Sequence, residues 1–557
     1  MTTRTEALRQ LTAPGEPHEL IQTDVHGHRY RVFRNAPATL RALYEEARSD
    51  LTFLVYADER LSFDETWQKA ARIATLLVNE YGIVEGDRVA ISMRNFPEWV
   101  LAFCAVTSVG GVAVAMNALW QPDEMAYGLQ DSGAKVLFAD QERLDRLSQC
   151  EHLPEGLAVL AVRTTKPLAQ GAIALEDALA KIGAVDMPAA AIGPDSDATI
   201  IYTSGSTGHP KGALSSHRNI LTALLSWELD AKAGALELGL EVPVPDSQPG
   251  TLLAVPLFHA TGSHAVFLAS FRAQRRLVCM YKWDVERAAE LIEQERITSF
   301  VAPAAMTGDL VQAAMRTNRD LSSLATVGGG GAPRAPEQVR RIGATFAKAM
   351  PNTGWGMTET NAIGTGIGGQ DYLEHPASAG RASAVVDLRI VDESGRELPA
   401  GERGELQIRG ASVIRGYWQR PDGNAETFVD GWLRTGDVAY IDAEGYLYIV
   451  DRIKDLVIRG GENIGCGAVE SALLEHPDVL EASVYGVPDE RLGEEVGATV
   501  HVRGDLDEAA LRDFLVPRLA RFEIPRYFHF APEPLPRTAS GKILKRRLRD
   551  EAAARLG

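Results

Sequence analysis

"IYTSGSTGHPKGA", Ile201–Ala213, joins the end of an apolar, β-branched run to a string of Gly, Ser and Thr that closes on Pro210 and Lys211. Thr203, Ser204, Ser206 and Thr207 offer hydroxyl donors, while Gly205, Gly208 and Gly212 let backbone N–H groups approach phosphate oxygens closely. Lys211 adds a compact positive charge. A Walker loop would need Gly-Lys-Ser/Thr, but Lys211 stands between Pro210 and Gly212, so this is a different phosphate cradle. The preceding "DATIIYT" reads as a strand, which fixes one end of the loop and sets it apart from a flexible Ser/Gly linker.

Upstream, helix and strand alternate. Ser62 and Glu65 form a capping box ahead of Trp67, Ala70, Ala71, Ala74, Leu77, Val78 and Tyr81, a helical apolar stripe closed by Gly82. The strand-like "RVAISM" follows. The uncharged run Leu101–Trp120 has the length of a membrane span, but Gly110-Gly111 splits it into a helical part and a β-rich "VAVAM", as in a buried helix and strand. This alternation predicts α/β architecture with parallel strands, continuing to about residue 380.

Downstream, "VVDLRIVDESGRELPAGERGELQIRG" and "GYLYIVDR" read as short strands with Gly-containing turns. From Lys454 onward "ASVYGVP" and "VGATVHVR" read as strands and "DEAALRDFLVPRLARF" as an amphipathic helix. The expected organisation is a large α/β N-terminal domain with a β-rich subregion, residues 1–453, and a small mobile α+β C-terminal domain, 454–557. A chain of 557 residues exceeds what one core normally organises.

Composition narrows the function classes. With 57 basic against 75 acidic residues the formal charge is -18, which repels polyanions and argues against nucleic acid as a partner. Cys104, Cys150, Cys279 and Cys466 are far apart with no metal-ligand spacing, so they read as reduced thiols. The N-terminus lacks a signal-peptide pattern, and a cytoplasmic location without a transmembrane segment is expected.

"YTSGSTGHPKGA" resembles the signature of the acyl-adenylate-forming enzymes, which include acyl-CoA synthetases, luciferases and peptide-synthetase adenylation domains. "GGGGAPRAPE", "NTGWGMTET", "WLRTGDVAYIDAEGYLYIVDRIKD", "GGENI" and "LPRTASGKILKRRLR" follow in that family's order, so the resemblance spans Tyr202 to Arg549. It implies an AMP-forming acid–thiol ligase using ATP, Mg²⁺ and coenzyme A, with a small-molecule carboxylic acid as partner. Oligomeric state, a homodimer included, is not legible.

The resemblance also assigns residues. Thr203 to Lys211 would hold the β- and γ-phosphates, Thr358 would touch the α-phosphate, and Glu359 would ligate Mg²⁺; capping a helix is its alternative role. Trp355 with Gly330, Gly331 and Ala332 would form the adenine slot, a core position being the alternative for Trp355, and Gly354 would also bind ATP. Asp437 would accept from the ribose hydroxyls, and Arg452 would reach the nucleotide. Lys454 occupies the hinge position, Lys542 is the catalytic lysine, and Gly460, Gly461 and Glu462 belong to the face brought against coenzyme A. His259 in "PLFHATGSH" matches a position at the acyl entrance.

The flanking "LLAVPLFHA" and "AVFLASF" are apolar, with no acidic residue to receive an α-amino group. They suggest a hydrophobic acid such as a medium- or long-chain fatty acid, with carrier-protein loading or an aryl or steroid-type acid as alternatives. Three positions depart from the family pattern: Gly465-Cys466 after "GGENI", with Cys466 read as a packing residue; His209 in the phosphate loop; and Arg334 after "GGAP".

Overall fold

The computed structural model describes residues 2–203, 210–240, 247–330, 334–346, 348–460, 462–538 and 541–556. The Ser62 box forms as expected: Glu65 N–H donates to Ser62 Oγ at 3.0 Å and Ser62 N–H to Glu65 Oε2 at 2.8 Å. These bonds satisfy two orphan donors and start the helix Phe63–Asn79, whose apolar face is buried. The uncharged run divides where its glycines stand, into the helix Pro97–Ser108 and the strand Val112–Ala115. Among the described residues no helix is long and apolar enough to cross a membrane.

Two large sheets organise the first part of the chain. An eight-stranded sheet is built on parallel strands such as Arg88–Ser92 and Val136–Asp140, and ends in Asp197–Thr203, Lys211–Ser216 and Gly416–Tyr417. A fourteen-stranded sheet runs from parallel strands, including Gly250–Leu253 and Thr326–Gly328, into the antiparallel β-rich subregion ending Tyr446–Arg452. One apolar cluster joins both sheets through Trp99, Phe103, Phe267 and Phe271, with the Trp99 and Phe103 rings stacked at 5.2 Å. Burying rings of this size supplies much of the stabilisation.

The last strand of the large sheet ends at Arg452, a short 3₁₀ turn covers Ile453–Asp455, and Val457–Arg459 already belongs to a separate five-stranded sheet. That sheet has its own apolar cluster, including Val457, Val484, Val500 and Leu511. Cys466 is fully buried within it, and burial pushes its thiol pKa up, so it acts as a packing residue. The helix expected over "DEAALRDFLVPRLARF" stops earlier, at Leu515. Val516 keeps helical backbone at φ -50° and ψ -45°, and Pro517 ends the ladder there because its nitrogen carries no hydrogen to donate.

Candidate functional site

The phosphate-loop strands set the geometry. Thr203 and Lys211 are direct partners on the antiparallel pair Asp197–Thr203 and Lys211–Ser216, so the chain returns beside itself across the loop. Ser204, Gly205, Ser206, Thr207, Gly208 and His209 lie outside the described residues, as do Gly331, Ala332 and Gly461. The next strand across is Gly416–Tyr417, paired to Ala213 and Leu214. It brings the Tyr417 ring to 5.1 Å from Lys211 Nζ, a cation–π distance.

Tyr417 also reaches the acidic motif. Its hydroxyl donates to Glu359 Oε1 at 2.7 Å, and Glu359 is only 6% exposed. Burial, reinforced by the Glu359 charge, raises the Tyr417 pKa, so the phenol stays protonated and remains a donor. Glu359 lies in the 3₁₀ turn Thr358–Thr360, and its side chain engages Tyr417 on the edge strand of the eight-stranded sheet instead of capping a helix. Asn361 and Ala362 follow at φ 56° and 64°. Left-handed backbone at a non-Gly residue costs energy, and here it folds the chain back after the motif. Asn361 is fixed by His264 Nε2 at 3.1 Å and by the Ser412 carbonyl at 2.9 Å.

Trp355, Asp437 and Arg452 form a triangle. Trp355 Nε1 donates to Asp437 Oδ2 at 2.8 Å, and Arg452 Nε approaches Oδ1 at 2.6 Å. Arg452 and Asp437 are register partners on neighbouring strands, which fixes their spacing. Burial raises the Asp437 pKa, opposed chiefly by Arg452. The Trp355 ring lies against Gly364, where a Cβ would meet Cε3 at 2.6 Å, and a Cβ on Gly354 would meet the Thr365 carbonyl at 2.4 Å. Both positions therefore require glycine.

Lys542 is held on a turn. Its backbone N–H donates to Thr538 Oγ1 at 3.1 Å, Arg537 Nη1 donates to the Gly541 carbonyl at 2.7 Å, and Arg537 Nη2 is anchored on Glu481 at 2.6 Å. Gly541 has φ 81°, and its α-carbon faces Pro303 and Met306, so this turn lies against the large unit. Desolvation lowers the Lys542 pKa, followed by Arg452, while Asp437 and Glu359 oppose the shift. The side chain retains solvent-accessible surface because it projects into a cavity. His259 is held neutral, its pKa lowered to about 4 by burial and then by the Lys542 charge. It can hydrogen-bond at neutral pH without acting as a cation.

Most of these groups line one cavity of about 2870 Å³. It brings together Thr203, Lys211, His259, Gly330, Gly354, Trp355, Thr358, Glu359, Asp437, Arg452, Lys454 and Lys542. Gly460 and Glu462 are exposed and stand apart from it. Among the described residues no cluster of three or more His, Cys, Asp or Glu could hold a metal unaided. Glu359, a buried carboxylate in the same cavity as Lys211, suits Mg²⁺, which is commonly bound by one or two carboxylates together with substrate phosphates. Tyr417 stands in none of the six sequence motifs; its only local signal is a Gly-Tyr pair before "WQRPDG".

Two sheets, a small α+β unit packed against them, and one cavity gathering Trp355, Lys211, Lys542 and the buried carboxylates of Glu359 and Asp437 fit a nucleotide-dependent acyl-activating enzyme. The chain belongs to the AMP-binding enzyme family, whose model matches residues 42–418 and whose C-terminal domain matches 468–542. It is an AMP-forming acid–thiol ligase. It is 32% identical over 500 residues to the long-chain-fatty-acid–CoA ligase FadD13 of Mycobacterium tuberculosis, covering 89% of this chain and 94% of that one. A feruloyl-CoA synthase from Amycolatopsis is 34% identical over 497 residues, covering 88% and 93%. The o-succinylbenzoate CoA synthetase of Bacillus subtilis, solved with its acyl-adenylate, superposes with a TM-score of 0.77 at 29% identity over 92% of this chain and 98% of that one. The same enzyme has been solved with ATP and a magnesium ion.

Proposed function

We propose that this enzyme is an ATP-dependent acyl-CoA synthetase that activates a hydrophobic carboxylic acid, of medium- or long-chain fatty-acid size, through an acyl-AMP intermediate. The observation that carries this reading is the convergence of Lys211, Glu359, Asp437 and Lys542 on one cavity that continues between Ala- and Gly-rich walls. The large domain would comprise 1–453 and the small one 454–557, consistent with the end of the large sheet at Arg452.

A carboxylate with a pKa of about 4 to 5 is already ionised near neutral pH and needs no general base. It attacks the α-phosphorus of ATP, the bond to pyrophosphate breaks, and acyl-AMP forms. Charge neutralisation and in-line positioning carry the step. Lys211 and Thr203 face the outer phosphates, Thr358 the α-phosphate, Glu359 would hold Mg²⁺, and Lys542 neutralises charge as the carboxylate oxygen bonds to phosphorus. Asp437 anchors the ribose while Arg452 and Trp355 fix its carboxylate. In the second step the coenzyme A thiolate attacks the acyl carbon and AMP leaves.

The test is mass spectrometry of a reaction with ATP, Mg²⁺, coenzyme A and short, long, aromatic and polycyclic acids. Acyl-CoA with AMP, strongest for the longer aliphatic acids, is the expected result. Preference for aromatic acids would overturn the fatty-acid assignment, and acyl-AMP without acyl-CoA would redirect the second step to a carrier protein.

Tyr417→Phe removes the donor that orients Glu359. The Mg²⁺ concentration for half-maximal pyrophosphate release should rise by about three- to tenfold, as the net loss of about 0.5 to 1.5 kcal/mol for one ordinary hydrogen bond implies. An unchanged Mg²⁺ titration would show that Tyr417 does not act through the metal ligand.

A further inference from the structure

The cavity continues away from the nucleotide groups along one face of the large sheet. Ser299, Thr326 and Met350 are register partners on three adjacent parallel strands and share that face at the strand starts; all three line the cavity. Val301 and Asn352 stand one pleat higher, and Gly330 higher still, with a Cβ there meeting the Thr261 methyl at 4.0 Å. From Thr326 to Gly330 the strand direction spans about 13 Å. The opposite wall carries Thr261, Ala265, Ala269 and Ala273 at four-residue spacing, small side chains that leave a channel open.

Arg275 stands at the far end of this channel, two residues beyond Ala273 and just before the strand Arg276–Cys279. Its basic neighbours are all neutralised: Arg4 by Asp230 at 2.8 Å, Lys232 by Glu228 at 2.9 Å, Arg272 by Glu228 at 3.3 Å, Arg276 by Glu295 at 3.4 Å and Arg381 by Glu237 at 2.9 Å. The Arg275 guanidinium has no hydrogen bond or ion pair with any described residue; only its backbone N–H is used, toward the Ser270 carbonyl. Burial lowers its pKa, and among the described residues no carboxylate offsets the shift.

Lys211 and Lys542 are likewise without an ion pair among the described residues, and both face places assigned to phosphates. Arg334 differs, because the Thr307 hydroxyl at 3.0 Å and the Gly328 carbonyl at 3.4 Å hold it beside Gly329. A half-buried cation with no partner is costly, and a methyl-terminated chain packed against it would deepen that cost. A carboxylate arriving there would relieve it through bidentate hydrogen bonds.

We propose that Arg275 receives a second carboxylate at the distal end of the acyl group, so that the acid activated is a dicarboxylic acid: one carboxylate is adenylated, the other stays free, and methylenes fill the Ala-lined channel. This deepens the acyl-CoA synthetase reading and rests on it. It also makes Arg275 the determinant of specificity for the distal group.

The test compares kcat/KM for AMP release with monocarboxylic, ω-hydroxy and α,ω-dicarboxylic acids of matched length, from the adipic to the hexadecanedioic series. At its best length the wild-type enzyme should prefer the dicarboxylic acid over both others by about tenfold or more, as a charge-assisted pair implies. Arg275→Met should collapse that ratio and Arg275→Lys should keep part of it. A wild-type preference for methyl-terminated acids at every length, an equal preference for ω-hydroxy acids, or a ratio unchanged in Arg275→Met would each overturn the assignment. The wild-type ratio decides even if the variants fail to fold. AMP release from monocarboxylic acids alone would leave the synthetase reading standing, whereas no AMP from any acid would remove that reading too.

Discussion

Lys542→Ala should lower acyl-AMP formation by about 10² to 10³, the usual cost of removing one preorganised charge or donor at a developing negative centre. Thioester formation from supplied acyl-AMP should stay within a few-fold of wild type. The asymmetry follows from geometry: the Thr538–Lys542 turn sets the side chain in the cavity that also holds Asp437 and Glu359. No other side chain on that turn carries charge into it. Desolvation and Arg452 lower the Lys542 pKa, so its charged form is disfavoured when it enters the crevice. Phosphate oxygens at the same point favour the charged form again, coupling closure of the small unit to the nucleotide. Wild-type adenylation should therefore decline on the alkaline side as Lys542 loses its proton, and Lys542→Arg should move that decline upward even if its rate is lower. Quenched-flow measurement of pyrophosphate release checks the first half-reaction. Equal loss in both half-reactions, or normal adenylation, would show that Lys542 does not act on the α-phosphorus.

The motifs around Lys542, Glu359 and Asp437 were legible because each is a short run in which the chemistry and the turn residues are adjacent in sequence. The Ser62 capping box and the break at Gly110-Gly111 were legible for the same reason. Tyr417 was not. Its contact with Glu359 exists only because Gly416–Tyr417 pairs with Lys211–Ser216, a strand pairing some two hundred residues apart that no local periodicity encodes. Arg275 was hidden differently. In "FRAQRRLV" it is one of three arginines close together, and only the partners of Arg272 and Arg276 set it apart as having none among the described residues. The shortened helix at Leu515 reflects apolar spacing taken past a proline that the backbone does not follow.

Lys454→Pro should separate the two half-reactions in the opposite sense. Lys454 is exposed in the 3₁₀ turn Ile453–Asp455, between the last strand of the large sheet and the first strand of the small one. It is the second residue of that turn, so its N–H is one of the donors that a helix start leaves without an intrahelical partner. Proline fixes φ near -65°, which a 3₁₀ turn accepts, so the arrangement that brings Lys542 to the nucleotide should survive with adenylation within a few-fold of wild type. What proline forbids is a large backbone rotation at this point. Gly460 and Glu462 stand outside the cavity while Lys542 is inside it. If the second half-reaction requires that face to replace Lys542, blocking the rotation should slow thioester formation by at least about tenfold, which is about 1.4 kcal/mol on that step alone. Acyl-AMP should then accumulate and be released, detectable by mass spectrometry. Equal loss in both steps would mean that the substitution disturbs the Arg452–Asp437 pair instead. Unchanged thioester formation would move the hinge away from Lys454.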